Sequence, residues 1–381
     1  MLTFQKIFSK NETPVDISSF LFFDIETTGF SKENTILYLI GCTYLEKDHF
    51  QLIQWFNDDG TSEKEILESF RELVRKKNWK LVTFNGLSFD IPYLNRHYEL
   101  FEMESPLPSH ESIDYYFYLK PFQTLFGMEH GRQKDWERFL GLDREDPFDG
   151  GQLIEVYKTY LLNKENSLLS SLLLHNEEDI SGMLFLLPLF SYPALLSGKL
   201  VVHQINRGKN NYDEWSGSIQ IHGVLEYALP RELAVSSCVG ALSVLGEKFI
   251  LTVPYLEGIL KHFYKNYKEY YYLPEEDRAV HKSVGCYVDQ KYRKSARAST
   301  CYIKKEGIFF HLPRVQKHYG FRITKKEYAV PLYQAGYKNR DCYIEFDDLF
   351  SEKETINQYI TDIVREIFIS FINENTSRDT I

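Results

Sequence analysis

Acidic residues at three separate places in the chain have the spacing to gather round a cation. In Phe23-Asp24-Ile25-Glu26-Thr27-Thr28-Gly29, two acids stand i, i+2 at the end of the apolar run Leu21-Phe22-Phe23. On a strand that spacing sends both side chains from one face. Two like charges side by side in apolar surroundings repel unless a cation lies between them. In Phe84-Asn85-Gly86-Leu87-Ser88-Phe89-Asp90, a strand leads through glycine to an acid at a helix start. There Asp90 reads equally as an ordinary N-cap. In Leu174-His175-Asn176-Glu177-Glu178-Asp179, His175 and Asp179 are i, i+4 and share a helix face. Taken alone, that segment is also what a solvated acidic helix with one structural histidine looks like.

The elements that must carry these groups follow from the hydrophobic pattern. Residues 20–26 read as a strand ending in a Thr-Thr-Gly turn, followed by β-rich runs at 36–45 and 50–56 joined by a short polar turn. Thr61 or Ser62 can cap a helix reaching about Lys77, with acids early and Arg71, Arg75, Lys76 and Lys77 late, an order that complements the helix dipole. Residues 81–85 are a short strand, and a helix starts near Asp90. From there to Phe190 the pattern is helical, with candidates at 111–120, 133–140, 150–162 and 168–187. A meander of strands, then a helix, a strand and more helices, is an α/β layout around one mixed sheet.

Pro193 and Gly198 interrupt the helical run, which places a domain boundary there and divides the chain into 1–192 and 193–381. The second part reads as α+β. Strands are expected at 199–206, 218–229, 241–246 and 248–254, the last two turning at Gly246-Glu247. Helices are expected at 256–271 and 275–289, then a hairpin turning at Lys305-Glu306-Gly307, more strand to 346, and a final amphipathic helix at 353–373.

Taken together the three acidic segments resemble the motifs of the ribonuclease H-like superfamily of DEDD 3′→5′ exonucleases, and more narrowly the YprB-type ribonuclease H-like domain family. The first motif, D-x-E-T-x-G after an apolar strand, is matched by Asp24, Glu26, Thr27 and Gly29. The second, N-x-x-x-F-D with a downstream apolar anchor, is matched by Asn85, Phe89, Asp90 and Leu94. The third, a helical aromatic or His before an Asp, is matched by His175 and Asp179. The resemblance covers about 18–195 and does not extend into the second half. It implies a ribonuclease H-like mixed sheet flanked by helices. The segments around Asp114 and Trp136 to Arg144 are similar to what the family carries between its motifs, and neither Asp114 nor Arg144 is given a chemical role.

The resemblance also implies the chemistry. Asp24, Glu26, Asp90 and Asp179 would hold two divalent ions about 3.5–4 Å apart. Hard oxygen ligands suit Mg²⁺ or Mn²⁺. Asp24 would bridge them, and His175 would accept a proton from the attacking water. The expected activity is a metal-dependent 3′→5′ exonuclease on single-stranded DNA or RNA. The alternatives are a catalytically weak nucleic-acid-binding scaffold and a structure-specific endonuclease. The base stands four residues before the last Asp, the register of Tyr-type rather than most His-type enzymes. A one-residue shift turns a helical side chain by about 100°, so His175 is a candidate base only.

Charge divides the 381-residue chain. Residues 1–190 carry 18 Lys and Arg against 31 Asp and Glu, whereas 258–326 carry 16 against 6, with 13 Phe and Tyr interleaved. Cations meet phosphates and aromatic faces stack on unpaired bases. That makes Lys261, Lys265, Lys268, Lys291, Arg293, Lys294 and Arg297 candidates for strand contact, with Thr27 and Asn85 beside the acids. The same rings could equally be core. Hydrophobic residues at 43% and charged residues at 26% exclude a wholly disordered chain. Five scattered cysteines without a C-x-x-C pair argue against a disulfide framework or zinc knuckle. No apolar run is long enough for a membrane span and no secretory signal is apparent, so a cytoplasmic protein is expected. A helicase or repair partner is left open.

Overall fold

A computed structural model describes residues 1–9, 13, 15–144, 150–208, 215–318, 320–325 and 327–376. Contacts divide the chain into two compact units, Met1–Pro193 and Ala194–Ile381. The first is built on β1 (Leu2–Ser9), β2 (Phe20–Thr27), β3 (Leu37–Glu46), β4 (His49–Phe56), β5 (Lys80–Thr83) and β6 (Glu111–Asp114). These form one sheet in the order β1-β4-β3-β2-β5-β6. The first four strands pair antiparallel, and β5 and β6 join parallel to β2. Helices α1 (Glu63–Arg75), α2 (Asp90–Leu100), α3 (Tyr115–Leu125), α4 (Gln133–Leu140), α5 (Gly150–Asn163) and α6 (Asn166–Phe185) complete it, with a short α7 (Ser191–Leu195) crossing the boundary between the units. This is a ribonuclease H-like domain, a mixed sheet flanked by helices.

Alternation along β2 sorts its side chains between the two layers. Leu21, Phe23 and Ile25 enter a core with Ile66, Phe70, Tyr93 and Leu94 of α1 and α2. The even positions, Asp24 and Glu26 among them, face the other way, toward α6. On that side Tyr38, Leu39 and Phe56 pack with Leu153, Tyr157 and Leu172 of α5 and α6. Burying each large apolar side chain contributes about 1.5–3 kcal/mol, so the sheet holds its register firmly while carrying charge on one row. Two local expectations differ. Residues 111–114 are strand rather than the first turn of a helix, because they pair residue for residue with β5. The N-terminal β1 was not anticipated; it pairs along its whole length with β4 and is largely exposed, so no apolar alternation marks it.

The second unit is rich in sheet. Strands β7 (Leu200–Gly208), β8 (Gly217–Leu225), β9 (Leu233–Ser237) and β10 (Gly240–Leu245) are followed by β11, which runs 16 residues from Lys248 to Phe263. The first half of β11 pairs with β8 and β10, and its second half with a later strand. A three-stranded sheet follows from β12 (Tyr270–Leu273), β13 (Arg278–His281), a short α8 (Lys282–Gly285) and β14 (Lys294–Ser295). Then come β15 (Tyr302–His311), β16 (Gln316–His318), β17 (Phe321–Ile323), β18 (Leu332–Tyr333), β19 (Tyr343–Glu345), α9 (Phe346–Phe350) and α10 (Lys353–Thr376).

Three expectations for this unit are overturned. The helix expected at 256–271 is the second half of β11, where Leu256 to Phe263 face β15 in unbroken register. The helix expected at 275–289 is β13 with the single turn of α8. The glycine expected to turn a hairpin at 305–307 lies in the middle of β15 opposite Gly258. A Cβ at Gly307 would lie 3.1 Å from Glu345 Oε1, so that glycine marks a close approach to a side chain and not a turn. No helix among the described residues is long and apolar enough to cross a membrane.

In α10, burial pushes the Glu366 carboxyl up to about 7, opposed by Arg314. Its folded value lies above its unfolded one, so it stabilises the fold at low pH, and this contribution is lost as pH rises toward 7. Glu366→Gln is therefore expected to match the wild type in thermal melting at pH 4.5 and to melt higher at pH 8. Equal melting temperatures at both would contradict it.

Candidate active site

The site forms where parallel pairing of β2 with β5 stops. The pairing covers only Phe20–Phe22, and β5 ends at Thr83, so beyond Phe22 that edge of β2 has no strand beside it. The chain turns through Asn85, whose φ of +64° is left-handed, and enters α2. Asp90 is the first helical residue; Phe89 holds the cap position, with no side-chain cap bond. Asp90 Oδ1 instead accepts the Ile25 N–H at 3.2 Å, replacing the strand that is missing there and standing between the two acids of β2.

The loop that delivers Asp90 is held by a residue to which the sequence reading gave no role. Asp114, at the end of β6 and buried, accepts N–H bonds from Asn85 at 2.7 Å and Leu87 at 2.9 Å. Its Oδ1 also accepts the Tyr116 N–H at 2.9 Å, capping α3. A carboxylate that takes several backbone N–H groups fixes the loop geometry around itself, so Asp114 positions Asp90 without joining the cluster.

From the α6 side, His175, Asn176 and Asp179 approach the even face of β2. His175 Nε2 lies 3.3 Å from Asp179 Oδ2 and 3.6 Å from Glu26 Oε1. One ligand atom from each of Glu26, His175 and Asp179 falls within 4.8 Å of the others. Asn176 is fully buried; its Nδ2 donates to Asp24 Oδ2 at 3.0 Å, and its Oδ1 accepts from Gln54 Nε2 at 2.9 Å. This approach requires a glycine opposite Asp24. A Cβ at Gly41 would lie 1.8 Å from Asn176 Oδ1. The Tyr38 hydroxyl donates to Glu26 Oε2 at 3.3 Å, its ring stacked on Tyr157. Asp179 Oδ1 accepts from Arg144 Nη1.

Electrostatics follow from this crowding. Loss of solvent, then repulsion from Asp179, Asp90 and Glu26, raises the Asp24 carboxyl well above its usual range. Burial raises Glu26 to about 8, opposed by His175, and raises Asp90 to about 7. The donor set is rich in hard oxygen, strained by its own charge and arranged on three elements, β2, α2 and α6, which fits divalent cations such as Mg²⁺ or Mn²⁺.

The other candidates fall elsewhere. The Thr27 hydroxyl donates to the Gly29 carbonyl at 2.7 Å, and Asn85 is exposed at the loop. Lys261, Lys265, Lys268, Lys291, Arg293, Lys294 and Arg297 all belong to the second unit. Lys261 lies 4.2 Å from the centre of the Tyr302 ring and Arg293 4.6 Å from that of Tyr271. Lys291 pairs with Asp289 at 3.8 Å. Tyr270 stacks on Tyr264 against a small core of Ala279, Ala296 and Cys301, and Tyr272 bonds Asp277. These rings are structural. Beside the cations Tyr287 is 90% exposed, and Tyr267 and Tyr292 are partly exposed, with Lys291 4.6 Å from the centre of the Tyr292 ring.

Sequence reasoning missed Asn176, Gln54, Tyr38 and Gly41. Two signals were available: Asn176 is i, i+3 from Asp179 on the same face, and an isolated glycine inside the apolar β3 marks close backbone approach. Residues 21–190 match a family model described as the RNase_H superfamily. No curated protein matches the chain. Among solved structures, the chain is similar to the family B DNA polymerase of the hyperthermophilic archaeon Pyrobaculum calidifontis. Identity is 11% over 65% of this chain and 34% of that one, with a TM-score of 0.36. It is also similar to E. coli exonuclease I in complex with a dA16 oligonucleotide, at 11% identity, 55% of each chain and a TM-score of 0.27. A third is the moderately thermophilic exonuclease I of Methylocaldum szegediense, at 9% identity, 59% of this chain, 53% of that one and a TM-score of 0.28. The chain thus spans about a third of the polymerase and about half of each exonuclease.

Because loss of solvent and then repulsion from its neighbours disfavour a charged Asp24, Asp24→Asn is expected to raise the melting temperature in chelator at pH 8, by about 2–4 °C for each kcal/mol relieved. Mn²⁺ is expected to raise melting of the wild type and to leave the variant nearly unchanged. A variant that melts lower in chelator would show that the charge on Asp24 does not destabilise the metal-free fold.

Proposed function

We propose that the first unit is a YprB-type ribonuclease H-like nuclease that removes nucleotides from the 3′ end of single-stranded DNA or RNA. The observation that carries this reading is the meeting of Glu26, His175 and Asp179, with ligand atoms within 4.8 Å, beside Asp24 and Asp90. Asp24, Glu26, Asp90 and Asp179 would hold two divalent cations. When bound, these supply Lewis-acid chemistry, activating water and stabilising the departing 3′ oxygen. His175 Nε2 would accept the proton of the attacking water, a role suited to an imidazole near neutral pH. Asn176 would keep one oxygen of Asp24 occupied and so orient the other.

In the second unit, the exposed Tyr287 and Tyr292 rings, flanked by Lys282, Lys291, Arg293 and Lys294, would stack on bases of the strand while the cations meet its phosphates. The structural roles of Tyr270 and Tyr272 move this reading away from the tyrosine run and onto residues 282–294.

End-labelled oligonucleotides with Mg²⁺ or Mn²⁺ test the activity. Stepwise loss of label from the 3′ side is expected for the wild type, with at least about 10³-fold less turnover in Asp24→Ala. Equal turnover would remove the acids from the mechanism, and cleavage of a circular single strand would make the enzyme an endonuclease. A substrate-binding assay with inactive full-length protein is a separate check. Tyr287→Ala with Tyr292→Ala is expected to weaken oligothymidylate binding about 5- to 100-fold, and unchanged binding would discard that surface.

A further inference from the structure

We propose that Glu137 and Arg144 form a buried positioning arm that presents Asp179 to a cation through one oxygen only. The inference rests on the reading of Asp179 as a metal ligand and gives a role to two residues that the sequence motifs leave without one. Arg144 Nε and Nη2 both engage the Glu137 carboxylate, Nη2 at 2.7 Å from Oε1, while Nη1 donates to Asp179 Oδ1. The Arg144 and Glu137 side chains are 6% and 1% exposed. A two-pronged pairing fixes the plane of a guanidinium as a single contact cannot. With that plane fixed, the remaining Nη1 holds Asp179 Oδ1, and Oδ2 is left facing His175 and Glu26.

The charge of the arm is as informative as its shape. A lone arginine on Asp179 would oppose any cation arriving there. Glu137 cancels that charge, so the pair steers Asp179 while adding no net positive charge beside the site. A second observation supports the same arm. Gln133 Nε2 donates to Glu137 Oε1 at 2.9 Å and to the Asp179 carbonyl at 2.7 Å, tying α4 to the turn of α6 that carries the ligand. Three residues on, Gly182 makes room for both. A Cβ there would lie 2.0 Å from Glu137 Oε1 and 2.6 Å from Gln133 Nε2. A glycine inside a helix is destabilising relative to alanine, and here its place is filled by the arm.

The test reads Mn²⁺ affinity by calorimetry on the full chain, alongside melting and turnover. Removing Arg144 alone strands a buried carboxylate and threatens the fold. The principal variant is therefore Glu137→Met with Arg144→Met, which replaces the pair by apolar side chains of similar length. It is expected to stay folded and to bind Mn²⁺ about 10- to 100-fold more weakly. Arg144→Lys keeps the charge and loses the fork, and is expected not to restore affinity. Gly182→Ala is expected to weaken binding in the same direction by displacing Glu137. Wild-type affinity in the double variant, or in Arg144→Lys, overturns the arm and leaves the cation site standing. Absence of Mn²⁺ binding by the wild type overturns the metal reading itself, and the arm with it.

Discussion

Asp24, Glu26 and Asp90 crowd the end of one strand with little water about them, Glu26 and Asp90 buried and Asp24 half-buried. Burial first, and repulsion between carboxylates behind it, raises all three carboxyls, and the surrounding residues are those needed to hold the group in place. Each acid is gripped by a neutral donor from a different element. Asn176 of α6 holds Asp24, Tyr38 of β3 holds Glu26, and the main chain of β2 itself holds Asp90. Neutral donors fix geometry without cancelling charge, so the group stays available to a positive partner. Asp179 is held by the Arg144 guanidinium, which carries its own counter-charge in Glu137.

The layers of the sheet make this possible. A strand whose odd residues are sealed into a core cannot slip by one residue without turning its whole apolar row outward. The register of β2 is therefore set by the side chains of Leu21, Phe23 and Ile25, which are sealed into the core on the opposite face. The acids inherit their direction from those neighbours. In the same way the early end of β5 leaves an N–H at Ile25 without a strand partner, and the position of Asp90 is the answer to that gap.

Much of this was legible in the sequence, for identifiable reasons. Alternation on β2 and the i, i+4 spacing on α6 are local rules, and they place Asp24, Glu26, His175 and Asp179 on the faces where they are found. Asp90 was legible as an acid at a helix start, though not as the partner of Ile25, 65 residues away. Asn176 escaped because its meaning depends on Gly41 and Gln54 across the sheet. Arg144 escaped for a similar reason: it lies outside any helix, and both of its partners are brought to it by the packing of α4 on α6. In the second unit the lysine- and tyrosine-rich run at 256–271 looked helical because its charges recur at helical intervals. The pairing of β11 with β15, which decides the matter, is a tertiary fact that no window of that length contains.

That long strand has a mechanical consequence. β11 is 16 residues from end to end, on the order of 50 Å of continuous backbone, and it belongs to two hydrogen-bonding neighbourhoods at once. Fraying of β15 from its far half takes away rigidity that β8 and β10 rely on at its near half. The strands joined through β11 therefore come apart together, in a single cooperative event. A circular permutant opened within β11 would sever both neighbourhoods together, whereas one opened at the Gly246 hairpin tip would leave both intact.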